Sequence, residues 1–525
     1  MYRSRIGLLL LPAASIRQYI RYALDQAAAV SPRILYVVAH RSDGTQRSND
    51  RHLLRRLAHS VYETANNDHP GLDVRVVLSA AESLVETDKA VTCQSADILL
   101  ASTNAQKLGT RVTGRDKVET ISINLPSEKQ EEEEVDGEKS RLYEHVVLGG
   151  TFDRLHNGHK LLLSTAALHC TKRLVVGITD GVQLQGKTLV ELIEPYATRS
   201  RNVIGFVNDV FPEIVCETGA IYDPLGMAAT DDSLQCLVVS EETAKGGAAV
   251  NKGRDKNGLG PVAVEIAGLV GGTTLKLSST DLRKASLGCL RSGEPWLKST
   301  KSFCPSQRVY VIGLTGGTGS GKTSLGKKFS SLGVPVIDCD QLGHEAYSPG
   351  SDCNRKIVET FGEGVLCDDG KINRKVLGAI VFSDKKNLDT LNSIVWPEIV
   401  RLVSKKVERL TEEGHDVCIL DAAVLLEACW DEYVHEVWVS IVPRDEAIRR
   451  ITERDSVPIE TATRRLDAQM TNAERTSKAD VIFSTLWSHE ETWTQVTATE
   501  QSAKYDDPPS HLLRFKERTK DSENV

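Results

Sequence analysis

Val309-Tyr-Val-Ile-Gly-Leu-Thr-Gly316-Gly-Thr-Gly-Ser-Gly-Lys322-Thr323 couples an apolar run to a glycine turn, and its reading decides the fold class. The apolar run has the composition of a buried parallel strand, and Ser324 to Ser331 reads as the start of a helix. A strand, a tight glycine turn and a helix start gather backbone N–H groups around a phosphate at the helix's positive end. The turn formed by Gly316, Gly317, Thr318, Gly319, Ser320 and Gly321 is therefore predicted to cradle ATP. Lys322 reaches the β- and γ-phosphates in such a loop, and the Thr323 hydroxyl ligates the Mg²⁺ that accompanies ATP.

A second motif lies upstream, in Tyr143-Glu-His-Val-Val-Leu-Gly149-Gly-Thr151-Phe152-Asp-Arg-Leu-His156-Asn-Gly-His159-Lys. It begins as a strand, turns through paired glycines and ends in an apolar helix, Leu161 to His169. Histidines at i and i+3 in a first helical turn share a face, at the end where the helix favours an anion. Donors fixed in advance suit pentavalent phosphorus, whose oxygens gain charge during transfer. A zinc pair and a pair of surface capping histidines are the competing readings; the sequence offers no nearby Cys or Glu to complete a zinc site.

The rest of the chain frames these motifs. Its 525 residues suit roughly two to four domains. A net charge of −8 supplies no basic field for nucleic acid. Eleven cysteines without a C-x-x-C pair fit reduced thiols in a cytosol-like compartment. No apolar run is long enough to span a bilayer, which leaves peripheral attachment open. Residues 1–122 read as a small α/β domain of unknown role, with strands at Arg33–His40, Leu72–Leu78 and Ala96–Ser102. Its first segment, with Arg3, Arg5, Arg17, Arg21 and the apolar patch Ile6–Leu11, reads equally as a strand and helix or as a mitochondrial targeting helix. Residues 123–142, rich in Glu, are predicted to be an acidic linker. Two catalytic domains, 143–300 and 308–500, follow, and then a tail, 501–525.

The segment Gly149 to His159 resembles phosphopantetheine adenylyltransferase, of the nucleotidyltransferase superfamily, and the segment from Val309 onward resembles dephospho-coenzyme A kinase. The two in this order resemble the bifunctional coenzyme A synthase family over roughly residues 143 to 500. The resemblance implies a fold of three α/β units: a smaller amino-terminal one, a Rossmann-like transferase and a P-loop kinase. It also implies two reactions. ATP and 4′-phosphopantetheine give dephospho-coenzyme A and pyrophosphate, and MgATP then phosphorylates the ribose 3′-hydroxyl of dephospho-coenzyme A.

For the first reaction the resemblance implies that His156 and His159 hold the ATP phosphates, with Gly149 and Phe152 in the same nucleotide site. His159 is best placed for the transition state, and Thr151 lies near the attacking phosphate. Lys187 would draw the two phosphates together; an exposed lysine opening a helix is the plainer reading of that residue. Leu277-Ser278-Ser279-Thr280-Asp-Leu-Arg283 is similar to the superfamily's second signature, for the leaving phosphates, although alone it is a good helix cap. The segment Leu237 to Gly247, with Ser240, Glu241 and Thr243, resembles a piece near the nucleotide, and Asp223-Pro224-Leu-Gly226 reads as a turn.

The second reaction consumes a hydroxyl and so needs a base. Val336-Ile-Asp338-Cys-Asp340 reads as a strand ending in two carboxylates that point the same way. The resemblance makes Asp340 the base, with Asp338 supporting it or the magnesium shell; a helix-capping Asp340 is the alternative. It also implies substrate contacts from His344 and Arg374, lid arginines at Arg450 and Arg454, and Asp421 on a strand near the site. Trp396 stands where bacterial relatives usually carry His, and both adenine stacking and core packing fit it. Two further readings compete: a different nucleotidyltransferase fused to a different small-molecule kinase, and a nucleotide-binding scaffold.

Overall fold

The computed structural model describes residues 6–12, 16–30, 32–40, 51–78, 96–102, 105–106, 113, 118–123, 141–267, 278–291 and 301–501. The acidic linker apart from its ends, Leu277, and the tail beyond 501 lie outside the described residues. The chain divides into two compact units, Met1–Leu282 and Arg283–Val525. Three five-stranded sheets, all parallel, give three α/β layers, as expected.

The first sheet has the order β3-β2-β1-β4-β5. Its strands are β1 (Ile6–Pro12), β2 (Ile34–His40), β3 (Asp73–Val76), β4 (Ile98–Ala101) and β5 (Glu119–Ser122). The apolar patch Ile6–Leu11 is its central strand, so the strand reading of that patch holds. Helices α1 (Ile16–Ala29) and α2 (Arg51–Asp68) belong to this layer.

The second sheet, in the same unit, runs β10-β9-β6-β7-β8. It comprises β6 (Tyr143–Gly150), β7 (Cys170–Thr179), β8 (Val215–Ile221), β9 (Cys236–Ser240) and β10 (Ala263–Ala267). Helices α3 (Asn157–His169), α4 (Tyr196–Val210), α5 (Ala244–Lys256) and α6 (Ser279–Ala285) follow. Helix α3 is apolar almost all round, because it is buried against the second sheet on one side and α2 on the other. One continuous core therefore joins Leu57 and Val61 of α2 to Leu161 and Leu168 of α3.

The third sheet, in the second unit, runs β12-β13-β11-β14-β15. Its strands are β11 (Tyr310–Gly316), β12 (Val336–Asp338), β13 (Val417–Asp421), β14 (Glu436–Ile441) and β15 (Val481–Ser484). Strand β11 is buried along its whole length, as a central parallel strand must be. The helices that shape the site are α7 (Lys322–Ser331), α8 (Cys339–Ala346), α9 (Asp352–Phe361), α10 (Arg374–Ser383), α11 (Lys385–Glu412) and α12 (Arg444–Asp455). The division between units falls at residue 282, and Gly288 and Arg291 hydrogen-bond Ile482 and Asp480 of the second unit.

Candidate active sites

In each nucleotide domain the motif sits at the carboxyl end of a central strand, where open parallel sheets bind ligands. In the first, β6 delivers Gly149, Gly150 and Thr151, and the chain then makes a strained turn. Phe152 and Arg154 have φ of 50° and 48°, uncommon for residues with a side chain. Three groups hold the turn. The Glu194 N–H donates to Asp153 Oδ1 at 2.9 Å. The Arg154 N–H donates to Glu194 Oε2 at 3.0 Å. Buried Arg199 donates to the carbonyls of Thr151 (2.9 Å), Thr179 (2.8 Å) and Glu194 (2.7 Å), and to Asp180 (3.0 Å). A Cβ at Gly150 would lie 3.0 Å from the buried Phe152 ring, so a side chain there would have to push the ring aside by a few tenths of an ångström.

His156 is the N-cap of α3 rather than part of its first turn, and makes no side-chain cap bond. Its ring stacks on that of His159 with centroids 3.8 Å apart, and the Phe152 ring lies tilted against His159 at 5.2 Å. The Nδ1 atoms of both histidines are buried without a partner among the described residues. Burial, reinforced by the charge of Lys160, brings the His156 imidazole down to about 4. Burial also holds His159 well below the usual histidine range. Both rings are thus neutral near pH 7.

The second signature reaches the first through Ser279, whose hydroxyl donates to the Asp153 carbonyl at 3.0 Å and lies 3.4 Å from His156 Nε2. Ser278 is spent on capping, its hydroxyl 2.7 Å from Asp281. Thr280 follows on α6, and Arg283, buried on its last turn, belongs to the second unit. The structure does not join Lys187 to this group. It is exposed in a turn between two short 3₁₀ segments, not at a helix start, and its ammonium makes no hydrogen bond or ion pair with the described residues. Ser240 and Thr243 form a capping box, and Asp223 Oδ1 accepts from the N–H groups of Leu225 and Gly226, which makes that segment the expected turn.

In the second unit the P-loop runs from β11 into α7, with Gly321 at φ 83° as the N-cap. A cleft of about 630 Å³ is lined by residues 316–323 with Asp340, Ala423, Arg450, Glu453 and Arg454. Lys322 is hydrogen-bonded to Asp421 and lies 3.4 Å from Asp340. Burial works against its ammonium, but Asp421 and then Asp340 outweigh it and raise its pKa. The two carboxylates differ in access: the Asp421 side chain is 8% exposed and that of Asp340 57%. Asp421 is therefore the buried partner of the lysine, and Asp340 the one open to solvent. Thr323 is exposed on the first turn of α7.

Asp338 and Asp340 are not a matched pair on one strand. Strand β12 ends at Asp338, which caps α8 by accepting the Gln341 N–H at 2.9 Å, and Asp340 stands in the first turn of that helix. The helix starts directly after the strand, so Asp338 acts as its cap. Arg450 is already tied to the loop through the Gly319 carbonyl (3.2 Å), Thr485 (2.7 Å) and Glu446 (2.6 Å). Arg454 pairs with Asp455 at 2.7 Å. His344 and Arg374 gather around Tyr347, a residue the sequence reading missed, with the His344 and Tyr347 rings 6.5 Å apart and Arg374 hydrogen-bonded to Tyr347. Trp396 packs edge-on against Trp430 at 6.5 Å.

Gln469 was also missed; it accepts the Thr318 N–H at 3.0 Å and donates to the Thr318 hydroxyl at 2.7 Å, clamping the P-loop. No spacing signal marks it, because it meets the loop only across the fold.

Comparison with known proteins agrees with this division. A family model described as dephospho-CoA kinase matches residues 310–486, and one described as cytidylyltransferase-like matches residues 147–285. A dephospho-CoA kinase from Carboxydothermus hydrogenoformans is 37% identical over 197 residues, 38% of this chain and 96% of that protein. Another from Geobacter sulfurreducens is 41% identical over 173 residues, 33% of this chain and 88% of that protein. A solved dephospho-CoA kinase structure from Campylobacter jejuni covers 36% of this chain and 95% of its own, at 25% identity and a TM-score of 0.29.

Proposed function

As the chain belongs to the dephospho-CoA kinase family and carries a cytidylyltransferase-like domain before the kinase, we propose that it makes coenzyme A from 4′-phosphopantetheine in two ATP-dependent steps. The observation that carries the first step is Ser279, which ties the second signature to Asp153 and His156 of the first. The attacking group is already a phosphate oxyanion, so the site needs alignment and charge stabilisation rather than a strong base. Neutral His156 and His159 donate N–H groups to the ATP phosphates, and the turn held by Arg199 presents Thr151 beside them.

In the second step Asp340 takes the proton of the ribose 3′-hydroxyl. Lys322 leaves its carboxylate partners for the β- and γ-phosphates when ATP enters, and Arg450 and Arg454 meet the transferring group. The Thr323 hydroxyl and Asp340, which line the same cleft, would hold the hard Mg²⁺ that accompanies ATP. His344 and Arg374 meet dephospho-coenzyme A through the Tyr347 cluster. This reading leaves Asp338 outside the chemistry.

Mass spectrometry of the products formed from 4′-phosphopantetheine and MgATP tests the proposal. Coenzyme A with both pyrophosphate and ADP is expected. Dephospho-coenzyme A alone would remove the second step, and turnover with CTP but not ATP would move the first domain to another nucleotidyl transfer.

A further inference from the structure

Lys160 directly follows His159, and it is a lysine only 5% exposed. Burying an ammonium is strongly unfavourable unless it is paired and hydrogen-bonded. Its partners come from the amino-terminal sheet: Asp73 Oδ1 on β3 at 2.6 Å and the Val74 carbonyl at 2.9 Å. Asp73 is also held by Arg75 Nη2 at 2.8 Å, and Arg75 continues to Asp209 on α4, which accepts the Tyr36 hydroxyl of β2 at 3.1 Å. Two positive and two negative groups thus form one balanced chain. It joins β3 to the start of α3, which carries the histidines, and to the end of α4, which carries Arg199. Arg51 of α2 holds the other end of α3 by donating to the Leu168 (2.6 Å) and Cys170 (3.1 Å) carbonyls.

The pair stands at the edge of the site. Asp73, Arg75, Lys160, Arg154 and His156 line one cleft of about 710 Å³. We infer that the amino-terminal domain is a built-in part of the transfer site, and that Asp73 is a positioning residue which, through Lys160, sets the first turn of α3 and hence His156 and His159. This rests on the adenylyl-transfer reading of that site.

The test compares full-length Asp73→Asn, Lys160→Met and the double variant with the wild-type chain. It reads kcat and KM for ATP in adenylyl transfer to 4′-phosphopantetheine, and kinase activity on dephospho-coenzyme A in the same preparations. Asp73→Asn leaves a buried ammonium without its carboxylate and is expected to lower transfer kcat on the order of tenfold, with KM little changed. Lys160→Met leaves Asp73 paired to Arg75 and should cost less. The double variant should return to the Lys160→Met value, because no unpaired ammonium remains. Kinase rates should stay at the wild-type level throughout. Should Asp73→Asn fail to fold, the Lys160→Met kcat decides.

Lower melting temperatures with unchanged transfer kcat, or single effects that simply multiply in the double variant, would overturn the inference. Wild-type protein that forms no dephospho-coenzyme A would overturn the substrate reading instead. Hydrogen exchange over residues 157–163 would then decide: faster exchange in Asp73→Asn, restored in the double variant, supports the tie, and unchanged exchange removes it.

Discussion

The same residue type does different work according to what surrounds it. Asp421 and Asp340 both face Lys322, yet only Asp340 is open enough to approach a hydroxyl. His156 shows how burial sets protonation. Its folded pKa of about 4 lies below the unfolded value of about 6.5. Between those values the unfolded chain binds more protons than the folded one, so stability is fully present above about pH 6.5 and is lost as pH falls toward about 4. The melting temperature of the first unit is expected to fall across that window, and His156→Phe should shrink the fall. Equal falls in variant and wild type, followed by calorimetry, would show that other groups carry the effect.

At the scale of elements, each site is a strand end joined to a helix start, and small residues set how closely they approach. Gly321 combines a φ of 83° with a neighbour that excludes a side chain: a Cβ would lie 2.4 Å from Thr485 Oγ1. Thr485 cannot step aside cheaply, because its hydroxyl is bonded to the Ser320 carbonyl and to Arg450. Gly321→Ala should therefore displace the loop and lower the kinase rate by roughly 100-fold. Adenylyl transfer should continue, so dephospho-coenzyme A would accumulate in a coupled assay. A near-normal kinase rate would mean the loop tolerates the shift.

For the molecule as a whole, three parallel sheets form two units, with the amino-terminal and cytidylyltransferase-like sheets sharing one core. Chemistry should divide along the same line. His159→Ala is expected to stop pyrophosphate release while leaving phosphorylation of added dephospho-coenzyme A intact, and Lys322→Ala should do the reverse. The loss in each case should be about 100-fold or more, the scale of removing a preorganised donor to phosphate charge. Separate product assays check this, and loss of both activities from either substitution would contradict the division.

Much of this was legible along the chain because the phosphate-binding parts are contiguous. A buried strand, a glycine turn and a helix start form Gly316–Thr323, and Gly149–His159 follows the same local logic, so neighbours in sequence are neighbours in space. The strand end was less legible: the helix begins at Cys339, which makes Asp338 a cap and puts Asp340 in the first helical turn. Gln469, Tyr347 and Thr485 were invisible, since each meets its motif across the fold through a side chain that no spacing records. One signal for Asp73 was present. Helix α3 is apolar nearly all round and yet carries Lys160, a pattern that calls for a second covering layer with a carboxylate in it. Which element would supply that layer depends on folding together segments far apart in sequence, because burial and charge pairing are settled only when surfaces meet.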